Sequence, residues 1–162
     1  MGILVEFCSM GANKKSCKGY YFRRFQIKQI KINSDLTKEE QLIILAHELG
    51  HAALNHKPVV AFVDFIVLDV VNKMEICANY FSADIIMEDE DIIEMITSGK
   101  TFFEIACVMN VLPELLAYKY HSMEVRGYKG LQSPVDVSGR YLNEYQRPVK
   151  VAEDFVDDSL DD

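Results

Sequence analysis

The chain has 162 residues, 49% of them hydrophobic, which suits one domain with its own core. It carries 17 Lys and Arg against 25 Asp and Glu, a formal net charge of −8 and a pI near 5.0, which argue against tight nucleic-acid binding. The longest apolar run, Val59 to Val71, is broken by Asp64 and Asp69 and is too short to span a bilayer, and Met1 to Met10 lacks the basic cluster and length of a secretory signal, so a cytoplasmic protein is expected.

Ile3 to Phe7 is an apolar run fit for a short strand, and Gly11-Ala12-Asn13 is a turn. Between Lys14 and Lys31 stand seven basic residues and no acidic one, interleaved with Tyr20, Tyr21, Phe22 and Phe25. Basic residues among aromatics could stack on and neutralise nucleic acid. The simpler expectation is a pair of strands ending in Gln26 to Ile32, with Ile30 and Ile32 inward and the lysines along a solvated edge. Peptides bind exposed sheet edges as an added strand, and a basic edge at Lys28 and Lys31 would favour an acidic one.

Thr37 and Glu40 make a capping box and start a helix expected to reach about His56, with Pro58 stopping it. Within that helix lies His47-Glu48-Leu49-Gly50-His51, the H-E-x-x-H pattern. At about 3.6 residues per turn, His47 and His51 share a face and can bind one metal ion. Glu48 sits about 100° round from His47, near enough to reach a metal-activated water as general base. The flanks, Leu42 to Leu45 and Ala52 to Leu54, are apolar, and ionisable groups buried there unpaired would be costly. Gly50 inside the helix costs about 1 kcal/mol relative to Ala, which implies a close approach by another element. His56, five residues past His51, is expected to face away from the pair and to complement the helix dipole.

Val59 to Val71 is rich in β-branched and aromatic residues and reads as a short hairpin or strand. A second helix is expected from about Asn72 to Met87, with Glu75 and Asn79 on one face. Glu75 is the third protein ligand that a helical zinc site needs, and Asn79 is placed to hold a ligand histidine from behind. Cys77, two residues on, falls on the opposite side of the helix from Glu75. Glu88 to Asp91 caps another helix reaching Thr97, and Thr101 to Tyr120 reads as a helix-turn-helix with its second helix opening near Pro113. The would-be recognition helix offers Glu114, Tyr118 and Lys119 but no arginine, a poor set for phosphates and guanine edges. The four cysteines (Cys8, Cys17, Cys77 and Cys107) have no C-x-x-C spacing and are expected as reduced thiols.

His47-Glu48-Leu49-Gly50-His51 followed by Glu75-x-x-Ala78-Asn79-x-Phe81-Ser82-Ala83-x-Ile85-Ile86-Met87 resembles the ImmA/IrrE family of zinc metallopeptidases over roughly residues 19 to 128. Two positions depart from that family's pattern. Cys77 stands where many members carry a second acid, and Glu88 where they carry proline. The resemblance implies an α+β fold: a small zincin-like metallopeptidase domain, with an N-terminal antiparallel sheet, an active-site helix pair and then a helical, helix-turn-helix-like part. It also implies a protein substrate, a helix-turn-helix transcriptional repressor whose cleavage relieves repression in a phage, mobile element or stress response.

The expected organisation is a metallopeptidase domain over 1–128 including the helix-turn-helix-like segment 101–120, a loop or extension over 129–147, and an acidic tail over 148–162. That tail carries six acids and one lysine, a net of −5, leaving −3 of the chain's −8 to the rest. The site is expected to hold one Zn²⁺ on His47, His51 and Glu75, two imidazoles and a carboxylate that suit other divalent ions as well. Glu48 is the general base, and His121, Tyr80 and Tyr118 are unranked candidates for stabilising the oxyanion. The rival readings are a metal-binding, non-proteolytic regulator or antitoxin-like module on the same fold, which would have no need of Glu48, and a DNA-binding regulator.

Overall fold

The computed structural model describes residues 2–13, 16–56 and 65–137, with side chains of 65–72 excepted. Lys14, Lys15, Pro58, the first part of the 59–71 segment and the acidic tail lie outside the described residues. Three strands come first, β1 (Ile3–Cys8), β2 (Gly19–Arg24) and β3 (Ile27–Asn33). Five helices follow, α1 (Lys38–Ala53), α2 (Phe65–Ile86), α3 (Asp89–Thr97), α4 (Phe102–Val108) and α5 (Pro113–Val125). The architecture is the α+β class, with the expected sheet and helix pair.

The sheet order is β1-β3-β2. β2 and β3 form an antiparallel hairpin, but β1 runs parallel to β3, so the sheet is mixed rather than wholly antiparallel. The expected basic edge is corrected with it. Lys28 and Lys31 lie on β3, the central strand, not on an edge. Lys28 is buried and its Nζ donates to the Ala52 carbonyl near the end of α1, while Lys31 pairs with Glu6 at 3.8 Å. Alternation places Ile30 and Ile32 inward, as expected, against Ile44 and Ala52 of α1. Gly19 lets β2 lie close to α1, since a Cβ there would stand 2.6 Å from Ile44 Cγ2. Asn33 ties the β1–β2 connection down, donating to the Gly11 and Cys17 carbonyls.

The Thr37–Glu40 capping box is present, with Thr37 Oγ1 accepting from Glu40 N at 3.2 Å and Glu40 Oε2 from Thr37 N at 3.0 Å. The helix it opens ends at Ala53, earlier than expected, because Asn55 takes a left-handed conformation (φ 55°) and reverses the chain. The hairpin expected over Val59 to Val71 is also corrected, since the helix expected from Asn72 already runs from Phe65. A short apolar run cannot be told from a buried helical segment by pattern alone, and β-branched residues disfavour a helix by only a few tenths of a kcal/mol each.

Behind α1, helices α2 to α5 enclose a second core around Met87, Ile92, Ile105, Leu115, Leu116 and Met123. One charge network ties three of these helices together. The buried Lys119 of α5 pairs with Asp89 at 2.6 Å and Asp84 at 3.3 Å, and Arg126 reaches the same two carboxylates at 2.7 and 3.1 Å. Ser122 Oγ donates to Asp84 at 2.7 Å. Among the described residues no helix is long and apolar enough to cross a membrane, and all four cysteines are free.

Candidate metal centre

The site forms where α1 crosses α2. Gly50 permits that crossing, since a Cβ there would meet Ala78 Cα at 3.0 Å and Phe81 Cβ at 3.2 Å. This is the close approach that a glycine inside a helix implied. With the axes so near, Glu75, one turn before Ala78, reaches the two histidines of α1. His47 Nε2 and His51 Nε2 stand 3.0 Å apart, and the Glu75 carboxylate lies 3.2 Å from the first and 3.4 Å from the second. Each of the three side chains offers one ligand atom, all within 4.8 Å of one another.

Ligand atoms about 2.0–2.1 Å from one tetrahedral ion stand roughly 3.3 Å from each other. The observed separations of 3.0, 3.2 and 3.4 Å match that triangle. Two imidazoles and a carboxylate are the donor set of a catalytic zinc, with a fourth position for water. Both histidines are buried and Glu75 is half-buried, so the cluster opens on its Glu75 side. The residues present fit the ion.

Glu48 is buried beside the cluster, and its Oε2 accepts a 2.7 Å hydrogen bond from the Tyr21 backbone N–H. The origin of that bond lies in the strand register. Asn33 N–H donates to Lys18 O at 2.9 Å, which turns the N–H groups of even-numbered β2 residues toward β3. Tyr21 therefore points its N–H out from the sheet edge, and Glu48 fills it. The bond holds the carboxylate in one orientation between helix and strand. An added peptide strand along this edge would have to take the Tyr21 donor from Glu48.

The outer nitrogens of the two histidines have different surroundings. His47 Nδ1 is buried without a hydrogen-bond partner, and so is Asn79 Oδ1. One needs an acceptor and the other a donor, so the pair is chemically complementary. Asn79 in turn hydrogen-bonds the Tyr118 hydroxyl, while burial pushes that phenol's pKa up. His51 Nδ1 faces His56 Nδ1 at 2.9 Å, which corrects the expectation that His56 faces away. Burial, and after it the neighbouring His51, lower the His56 pKa below the usual histidine range, with Glu75 acting the other way.

The three oxyanion candidates come together without being equivalent. Tyr118 is buried and engaged by Asn79. The Tyr80 hydroxyl stands 2.8 Å from His121 Nδ1, and the Tyr80 ring packs edge-on to Tyr118 at 5.0 Å. Cys77 is exposed and outside the cluster, consistent with its place on the other side of α2. Glu88, the other departure from the family pattern, has φ −73° and ψ 145°, a backbone conformation proline also adopts. In the helix-turn-helix-like segment, Tyr118 and Lys119 are buried in the core, leaving Glu114 as the exposed member of the three would-be base readers. That arrangement makes α5 a structural helix of the domain.

Residues 1–121 match the Peptidase_M78 family, described as the IrrE N-terminal-like domain. A protein of Bacillus phage phi105, described as uncharacterized immunity region protein 2, is 32% identical over 110 residues, which is 68% of this chain and 69% of its own. No solved structure matches the chain.

Proposed function

The chain belongs to the Peptidase_M78 (IrrE N-terminal-like) family, and from that premise we propose that it is a zinc-dependent endopeptidase that cuts a helix-turn-helix transcriptional repressor. The observation that carries this reading is the convergence of His47, His51 and Glu75 on one point beside a buried glutamate. A metal-binding scaffold needs the three ligands only. A hydrolase also needs a base, and Glu48 is present and held in place by Tyr21.

His47, His51 and Glu75 would hold a zinc ion, which when bound would supply Lewis acidity, bringing the pKa of a water to about 7. Glu48 takes the water's proton and returns it to the leaving amine, so one carboxylate serves as base and then as acid. Asn79 is proposed to orient His47 through Nδ1, a role supported by the buried Nδ1 and Asn79 Oδ1 each lacking a partner of its own. The Tyr80–His121 pair is the candidate to stabilise the negative oxygen of the tetrahedral intermediate, and Tyr118 serves instead to hold Asn79. The description of the phage relative as an immunity region protein supports a repressor as partner. Activity restricted to one protein partner also suits a small domain with its base buried. On this reading, residues 1–128 form the peptidase domain and the helix-turn-helix-like segment belongs to it.

The test compares new protein N-termini in host cells producing the wild type with those producing Glu48→Gln. One dominant cut in a DNA-binding repressor, seen only with the wild type, is the expected result. Zinc content should be equal in the two proteins and lost in His51→Ala. Equal cutting by Glu48→Gln would falsify the general-base role. Zinc retained in both proteins with no cut in either would favour the non-proteolytic module.

A further inference from the structure

Beyond the ligands and the base, the end of α1 carries a feature that those roles do not use. The helix ends in a Schellman arrangement. Asn55 is in the left-handed region at φ 55°, His56 N–H donates to His51 O at 3.0 Å, and Asn55 N–H donates to Ala52 O at 3.4 Å. In this motif the second residue beyond the cap is carried back over the residue three from the helix end, and an apolar contact usually accompanies it. Here the two positions are His56 and His51. Their contact is polar, with the Nδ1 atoms 2.9 Å apart and the rings edge-on at 4.9 Å between centroids.

Two ring nitrogens at that distance share one proton, since neither two lone pairs nor two N–H groups sit favourably face to face. His51 turns Nε2 toward His47 and Glu75, at 3.0 and 3.4 Å. A neutral imidazole that gives Nε2 to a metal must carry its proton on Nδ1. That proton then points at His56 Nδ1, which accepts it, and His56 carries its own proton on Nε2.

We infer that His56 is the positioning residue of the metal centre: the Schellman cap folds it back so that its Nδ1 accepts from His51 Nδ1, fixing the tautomer and ring orientation in which His51 presents Nε2 as a ligand. The inference rests on the reading of His47, His51 and Glu75 as the metal site. It assigns the helix cap a chemical role, because the same turn that satisfies the last carbonyls of α1 supplies the acceptor behind a ligand. The two histidines then differ: His51 is backed by an imidazole from the end of its own helix, whereas His47 Nδ1 has no hydrogen-bond partner among the described residues. Metal ligands are usually backed by a carboxylate, a carbonyl or water. An imidazole gives the same acceptor geometry without adding negative charge beside Glu75.

The test reads zinc affinity by competition with a chromophoric chelator, in the wild type, His51→Ala, His56→Ala and His56→Asn. Asparagine Oδ1 occupies the position of histidine Nδ1 on the side chain, so His56→Asn restores the acceptor and His56→Ala does not. Loss of the partner behind a ligand costs about 10- to 100-fold in metal affinity. His56→Ala is expected to lose that much and His56→Asn to recover to within about threefold of the wild type. A second readout is independent of affinity. In the zinc-loaded, ¹⁵N-labelled wild type, the His51 Nδ1 proton should be protected from exchange and show a scalar coupling across to His56 Nδ1. Wild-type affinity in His56→Ala, or no such coupling in the wild type, overturns the role of His56 while leaving the metal site intact. If His56→Ala fails to fold, the coupling and the His56→Asn affinity still decide. A wild type that binds zinc no better than His51→Ala overturns the metal site, and the role of His56 falls with it.

Discussion

A methyl group at position 50 would stand 3.0 Å from Ala78 Cα and 3.2 Å from Ala78 O, both backbone atoms of the facing helix. Backbone cannot rotate out of the way as a side chain can, so α2 itself would have to move by a few tenths of an ångström. Glu75 lies on the same helix, one turn away, and moves with it. Gly50→Ala therefore sets two opposed effects against each other. The substitution gains about 1 kcal/mol of helix propensity. It loses about 1–3 kcal/mol to overpacking. The net change in stability runs from about zero to about 2 kcal/mol of destabilisation, and a second effect falls on the site, where the carboxylate is displaced from two nitrogens 3.2 and 3.4 Å away. Zinc affinity should drop by about tenfold or more, the size of effect that a misplaced partner at a metal site produces. Chelator competition together with a denaturant titration checks this. Unchanged affinity would show that α2 yields without carrying Glu75 with it.

Helix ends and helix contacts carry the rest of the geometry, and the Lys119 network shows what they contribute. Lys119 is 2% exposed and depends on Asp84 and Asp89 for compensation, which joins α5 to the end of α2 and the start of α3. Burial alone would raise the Asp89 pKa, but hydrogen bonding and charge from Lys119, with Arg126, outweigh it and bring the pKa below its ordinary value. A carboxylate with a depressed folded pKa adds stability above its unfolded pKa, and that stability is lost as pH falls through the folded value. The wild type should therefore lose stability as pH drops below about 4. Asp89→Asn should lower stability at neutral pH by up to about 3 kcal/mol, because it removes a partner from a buried charge. It should also flatten the acid limb of the stability curve. Denaturant titrations between neutral pH and pH 2 measure both, and an unchanged acid limb would mean that other carboxylates govern acid unfolding. The same scale explains what the sequence revealed. Relations inside one helix follow from its period, so His47 over His51, Glu75 beside Asn79 and the Thr37–Glu40 box were all legible. The position of His56 does not follow from the helical period, because the helix ends at Ala53 and Asn55 reverses the chain beyond it. Strand order is a long-range property, and nothing local in Ile27–Asn33 marks it as the central strand that carries Lys28 and Lys31.

At the scale of the whole molecule, the site lies at the junction of two cores. One is built from the sheet and the inner face of α1, the other from α2 to α5 with Ile43 of α1. His47 and His51 come from α1 and Glu75 from α2, so a bound ion joins the helix packed on the sheet to the first helix of the second core. Binding to the folded state alone stabilises by RT ln(1 + [L]/Kd), about 2.7 kcal/mol when free zinc is 100 times Kd. Unfolding monitored with and without zinc at that excess should differ by this amount in the wild type and in Glu48→Gln, which keeps all three ligands. Glu75→Ala removes the ligand that α2 contributes among the described residues, and two histidines four residues apart on one helix then hold the ion without crossing the junction. Its affinity should fall, and zinc at the same concentration should give little or no stabilisation. If Glu75→Ala were stabilised as much as the wild type, the ion would be held by α1 alone, and the Glu75 contact would be an ion pair of the metal-free protein. If Glu48→Gln also lost the stabilisation, Glu48 would be a ligand instead of the base, and the division of roles between neighbouring residues of the H-E-x-x-H segment would have to be redrawn.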